Sequence, residues 1–153
     1  MKKVFFYSLF SIFCFLGALA QSGIPDDLIE WETEYNLDSW QNGETVTVTF
    51  KAKIKEGYHI YSAYQPSKSV LPLTVQLDKS VKNTTLLELK EEGNREVVFD
   101  DIFQAEIASF HNELILIQSV KIKKKTLPIK FILNYQICNE EMCLPGSFSI
   151  EIR

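Results

Sequence analysis

The sequence predicts an all-β domain, an antiparallel β-sandwich, and three observations carry that expectation. Apolar and polar residues alternate through most of the chain. The alternation is clearest where Val46, Val48, Phe50, Ala52 and Ile54 interleave with Thr45, Thr47, Thr49, Lys51 and Lys53. A period of two puts one face of a strand in the core and the other in water. Turn residues such as Asn42-Gly43 and Lys55-Glu56-Gly57 recur between these runs. No segment shows the 3.6-residue period of a long amphipathic helix, and about eight short strands separated by turns read as a sandwich.

The first twenty residues stand apart from this pattern. Lys2 and Lys3 open them, Val4 to Leu16 is an apolar run, and Ala18-Leu19-Ala20 is an A-x-A cleavage site. These are the parts of a secretory signal peptide over residues 1–20, with Gln21 as the mature N-terminus. The run is short for a bilayer span and ends in small residues, which argues against an anchor. Ser11-Ile12-Phe13 before Cys14 makes a poor lipidation signal. No second run is long enough to span a bilayer, so no integral membrane segment is expected in the mature chain. Residues 21–153 read as one domain, long enough for a real core. Export places it in an oxidising compartment.

Taken in order, Ile29, Trp31, Thr33 and Tyr35 alternate with Glu30, Glu32 and Glu34 as a first strand, and Val46 to Ile54 form the second. Tyr58-His59-Ile60-Tyr61 opens a third. Pro66 and Pro72 frame a loop, and Leu73, Val75 and Leu77 make a short strand. Leu86 to Leu89 suggest another, closed by a turn at Glu91-Glu92-Gly93-Asn94. Val97 to Ile107 are apolar but interrupted by Asp100 and Asp101. His111-Asn112 reads as a tight connection before a strand over Leu114 to Ile122, whose polar end is Lys123-Lys124-Lys125. Ile129 to Ile137 and Phe148 to Ile152 complete the set. No repeat or Pro/Gly/Ser-rich linker divides the chain. The formal net charge of −4 becomes more negative when Lys2 and Lys3 leave with the leader, which argues against nucleic acid or an anionic membrane as partner.

The last two strands are joined by Cys138-Asn139-Glu140-Glu141-Met142-Cys143, with Leu144-Pro145-Gly146 following. A hairpin returns Cys143 towards Cys138 and brings the two within disulfide reach. Zinc is a poor reading: two cysteines and the scattered His59 and His111 do not make the usual four-ligand set. The histidines are expected at the surface or in loops. Cysteine-protease chemistry fares no better, since a nucleophile paired with a neighbouring cysteine in an exported protein is a poor candidate. Two readings of the pair stay open. Closing a loop of about six residues stabilises by roughly 2 kcal/mol, and most exported disulfides are structural; on residues alone a staple stands ahead of a redox pair. Glu140 and Glu141 disfavour a thiolate between them, so a working pair would react well only with a partner that reshapes the site.

Tyr135-Gln136-Ile137-Cys138-Asn139-Glu140-Glu141-Met142-Cys143-Leu144-Pro145 resembles the cysteine hairpin of the periplasmic N-terminal domain of the thiol:disulfide interchange protein DsbD, in particular its Bacteroidetes forms. Gly57-Tyr58-His59-Ile60-Tyr61, and Asp100-Asp101-Ile102-Phe103 with Glu106, agree in the same order, so the resemblance runs from about Trp31 to Arg153. It implies an immunoglobulin-like sandwich whose redox cysteines lie on an edge hairpin under a cap loop. It implies a periplasmic thiol–disulfide exchange module with no bound cofactor. Such a domain receives electrons from a thioredoxin-like domain and passes them to periplasmic thioredoxin-like proteins.

By the same resemblance Cys143 matches the cysteine that forms the mixed disulfide, Cys138 the resolving one, Tyr61 an aromatic lining the site, and Asp100, Asp101, Ile102 and Phe103 the cap. Phe103 or Ile102 is the expected cover of the sulfurs. Spacing agrees on the first roles: Pro145 favours an edge for the strand that Cys143 opens, while Cys138 closes a cleanly alternating strand and is the better anchored. Two departures stand out. Well-known members place five residues between the cysteines and this chain four. The family continues into a membrane electron conduit, whereas this sequence ends at Arg153, so a separate membrane thiol reductase or thioredoxin-like donor is expected to feed it. The alternative function is a non-enzymatic interaction module with a structural disulfide.

Overall fold

Eight strands and one short 3-10 turn make up the fold, a computed structural model that describes residue 25 and residues 27–153. The expected signal peptide, its cleavage site and Cys14 lie outside the described residues. In chain order the strands are β1 (Ile29–Tyr35), β2 (Thr45–Ile54), β3 (His59–Tyr61), β4 (Thr74–Leu77), β5 (Thr84–Asp100), β6 (Ala105–Ile122), β7 (Ile129–Cys138) and β8 (Cys143–Ile152). Every pairing between them is antiparallel.

Two leaves form an immunoglobulin-like sandwich. One runs β1-β2-β6-β5, and the other is β7 with β4 and β8 on its two sides. Short β3 pairs with β6 through Ile60↔Phe110 and with β7 through Ile60↔Ile137, and so joins the leaves at one end. The apolar face of β2 alternates as its sequence requires: Val46, Val48, Phe50, Ala52 and Ile54 are all buried. Phe50 meets Phe131 of the opposite leaf edge-on, with ring centroids 5.8 Å apart. At the margin Trp31 stacks on Phe148 of β8, centroids 5.6 Å apart. Fully burying a phenylalanine such as Phe50 or Phe131 stabilises by roughly 1.5–3 kcal/mol.

Two expected turns are instead bends within long strands. Glu91–Asn94 and His111–Asn112 lie opposite one another inside the β5–β6 hairpin, where the register jumps between Gly93↔Leu114 and Asn94↔His111. Both segments carry turn chemistry, with Gly93 at φ 127° and Asn112 at φ 63°. The positive φ values are spent on a bulge rather than a reversal, because the partner strand carries the extra residues. A Cβ on Gly93 would stand 2.7 Å from the Glu113 carbonyl oxygen. Nearer the base a second bulge, between Leu86 and Leu89, is satisfied by buried Gln118. Its Nε2 donates to the carbonyls of Leu87 and Glu88, both at 3.2 Å. The Val97 to Ile107 region accordingly comprises the end of β5, a reversal at residues 101–104 and the start of β6. The hairpin thus projects as a bent arm towards the end of the sandwich where β7 gives way to β8.

Candidate functional site

Cys138 is the last residue of β7 and Cys143 the first of β8. They are register partners and are joined by a disulfide, with an S–S distance of 2.06 Å. Asn139 shapes the four-residue reversal between them. Its side-chain oxygen accepts from the backbone N–H groups of Glu141 (2.9 Å) and Met142 (2.8 Å), and its own N–H donates to the Met142 carbonyl (2.9 Å). The two sulfurs have different surroundings. β7 at Cys138 is flanked by β3 on one side and β8 on the other, and Cys138 is 1% exposed, packed with Tyr61, Val70 and Ile107. Among the described residues β8 pairs only with β7, so Cys143 opens an edge strand and is exposed.

Cys143 borders a groove of about 630 Å³ between the cysteine reversal and the β5–β6 arm. Tyr61 lies on the groove wall with its hydroxyl 3.6 Å from Cys143 Sγ. A disulfide sulfur carries no proton, so the phenol is the donor. Burial, and secondarily the Asp100 carboxylate, push the Tyr61 pKa up and keep the hydroxyl protonated. Asp100 also builds the tip of the arm: its Oδ1 accepts from the N–H groups of Ile102 (2.8 Å) and Phe103 (2.9 Å). Phe103 is 42% exposed and Ile102 89%, and both line the groove. Asp101 does not line it; its carbonyl accepts from Gln104 Nε2 at 2.6 Å and holds the reversal closed. Of the residues expected at the site, Tyr61, Asp100, Ile102, Phe103 and Cys143 share one groove, Cys138 lies beneath it, and Asp101 is on its outside. Val98, Phe99 and Met142 add an exposed apolar rim.

The histidines meet the surface half of their expectation, on the groove wall, but lie in strands and not in loops. His59 is in β3 and His111 in β6, both half-buried on the groove wall and register partners of each other, with ring centroids 5.3 Å apart. His59 is also the register partner of Cys138. Burial, and then the neighbouring His111, lower the His59 pKa. His111 Nε2 lies 3.3 Å from Ser109 Oγ and 3.6 Å from a Glu96 carboxylate oxygen. Alternation from Tyr61 puts His59 on the same face two residues back, a signal present in the sequence. The pairing with Cys138 joins positions nearly eighty apart and leaves no local trace. Among the described residues no cluster of His, Cys, Asp and Glu is placed to hold a metal ion.

A sandwich that carries a disulfide on an edge hairpin, half beneath and half within an apolar-rimmed groove, belongs to the class of thiol–disulfide interchange modules. More particularly, the chain belongs to the family described as the N-terminal domain of the thiol:disulfide interchange protein DsbD, whose model matches residues 26–151. Several solved structures share the fold, three of them as follows. The reduced DsbD N-terminal domain of Neisseria meningitidis is 20% identical, with a TM-score of 0.57 over 84% of this chain and 87% of that one. The same bacterium's domain in complex with the PilB N-terminal domain is 19% identical, with a TM-score of 0.57 over 84% and 85%. The N-terminal periplasmic domain of ScsB from Proteus mirabilis is 9% identical, with a TM-score of 0.60 over 84% and 48%. A search among curated proteins returned no match. Among the described residues no helix is long and apolar enough to cross a membrane.

Proposed function

We propose that residues 21–153 act as a single periplasmic domain that carries electrons between thioredoxin-like proteins, or from a membrane thiol reductase to them, by cycling Cys138 and Cys143 between disulfide and dithiol. The observation that carries this reading is the asymmetry of the two sulfurs: Cys143 is exposed on the groove, and Cys138 is 1% exposed beneath it. A donor thiolate attacks Cys143 Sγ, the S–S bond breaks, and its electron pair leaves on Cys138. A second donor thiol then releases the dithiol. In the onward direction the Cys143 thiolate attacks an oxidised partner, and Cys138 attacks the resulting mixed disulfide to regenerate the internal bond. Two electrons move in each half-cycle, with no bound cofactor.

The Asp100–Phe103 tip acts as the cap. Cys143 is exposed on the open groove, so the tip shields it only by closing on it; Phe103, the less exposed of its two apolar residues, is the cover in that closed form, and the rim of Val98, Phe99 and Met142 receives a partner in the open one. A reduced pair persists in an oxidising compartment only if random oxidants are kept from it. The related Neisseria domain in complex with a second protein domain is an encounter of the kind this surface would support.

The deciding measurement is the reduction potential of the pair, by equilibration with dithiothreitol or glutathione buffers. Exchange work predicts a value between about −120 and −270 mV and reduction by thioredoxin. A potential below about −300 mV, with resistance to thioredoxin, marks a permanent bond and an interaction module.

A further inference from the structure

We infer that His59 is the acid–base group of the exchange, taking the proton from the Cys138 thiol as that sulfur attacks and returning it when Cys138 leaves; the inference rests on the exchange reading above. Residues directly opposed on neighbouring antiparallel strands project from the same face of the sheet, with Cβ atoms about 5 Å apart. The pairings His111↔His59, His59↔Cys138 and Cys138↔Cys143 therefore set four side chains in one row across β6, β3, β7 and β8. The two sulfurs occupy one end of the row and the two imidazoles the other.

The chemistry has a gap at Cys138 that this row fills. In the resolving step the Cys138 sulfur bonds to Cys143, the bond from Cys143 to the partner breaks, and the partner departs as a thiolate. The Cys138 proton must go elsewhere. Bulk water hardly reaches this side chain, and burial makes a thiol slow to ionise by itself. His59 stands beside it as a neutral imidazole, since burial and the His111 ring lower its pKa. A proton acceptor at neutral pH needs that state. The proton passes to His59 and leaves by His111 and Glu96, which lie on the open groove. In the reverse direction the electron pair arriving on Cys138 is protonated through His59, which draws the proton in from the open groove by way of Glu96 and His111.

The other titratable groups facing this row are placed for different work. Tyr61, also on β3, addresses Cys143, and its raised pKa makes it a donor. Asp100 of β5 faces Tyr61, and Glu96 of the same strand faces His111. Glu140 and Glu141 are exposed on the reversal beyond the sulfurs.

The test uses the whole domain, reduced, with oxidised glutathione as probe. Acid quenching and mass spectrometry follow decay of the Cys143–glutathione adduct between pH 5 and 8. In the native protein the decay rate should rise through an ionisation below the ordinary histidine value and then level off. His59→Gln should slow decay at pH 7 by about a hundredfold, the smaller end of what general bases contribute, and should abolish that ionisation. His111→Gln removes a like-charged neighbour and should move the ionisation upward. A His59→Gln profile of native shape overturns the assignment whatever its absolute rate, because a packing role scales the rate without moving the profile. Should His59→Gln not fold, an unmoved profile in His111→Gln overturns it. Native protein that forms no adduct overturns the exchange reading itself, and the inference with it.

Discussion

Two reversals face one another across the groove, and they are built alike. Each has four residues between register partners, Asp100↔Ala105 at the tip of the arm and Cys138↔Cys143 at the cysteine hairpin. In each, the side-chain oxygen of an Asp or Asn accepts from the backbone N–H groups two and three residues on. That local mimicry of a backbone turn is what Asp and Asn do well. The difference lies in what each presents and what else holds it. The arm presents Ile102 and Phe103 and is closed by hydrogen bonds. The cysteine hairpin presents Glu140 and Glu141 and is closed by a covalent bond as well. Shared turn chemistry thus gives an apolar tip on one side, the proposed shield, and on the other a reversal that a disulfide also ties.

The largest effect should come from breaking the covalent half of that comparison. Cys138→Ala leaves the exposed sulfur without its resolving partner, so a mixed disulfide through Cys143 should accumulate nearly stoichiometrically with an oxidised thioredoxin-like probe. Cys143→Ala leaves only the buried sulfur and should trap little. Non-reducing electrophoresis of both variants decides the matter. If Cys143→Ala is the one that accumulates the adduct, the roles of the sulfurs are reversed.

What the sequence showed and what it hid divide along the same line. The cysteine reversal was legible in its residues, whereas at Asp100-Asp101 the residues showed only an interrupted apolar run and the loop there came from the family resemblance. The edge position of β8 was legible too, because Pro145 lacks an N–H for a further strand. Hidden were the features that depend on non-local register. Gly93-Asn94 and His111-Asn112 carry the residues of turns, yet they face one another across a ladder and become a bulge. The alignment of His59 with Cys138 requires β3 to lie between β6 and β7, which no alternation pattern specifies.

The shield half gives the next effect in size. Phe103→Ala removes a half-exposed ring from the groove wall and should speed oxidation of the reduced pair by small disulfides several-fold, with little change in melting temperature. Ile102→Ala should do much less, since a residue 89% exposed covers little. Stopped-flow oxidation of the two variants side by side assigns the cover. Equal rates for Phe103→Ala and the native domain remove Phe103 from that role and make Ile102 the next candidate.

The smallest effect separates the two turn-formers themselves. Asp100→Ala and Asn139→Ala each delete one acceptor of two exposed N–H bonds, and water can partly replace both, so each should cost about 1 kcal/mol or less. Their dependence on redox state should differ. The reversal at Asn139 is held by the Cys138–Cys143 bond when oxidised, so Asn139→Ala should lower the melting temperature of the reduced domain more than that of the oxidised one. Asp100→Ala has no covalent support to fall back on and should act alike in both states, with faster amide exchange at Ile102 and Phe103. It should also bring the Tyr61 pKa down, because it removes the lesser of the two causes that raise it; burial remains, so the phenol still titrates above its ordinary value. An ultraviolet titration of the phenolate reads that shift. Should Asn139→Ala destabilise oxidised and reduced protein equally, the disulfide is not what secures this reversal, and the contrast between the two turns reduces to what they present.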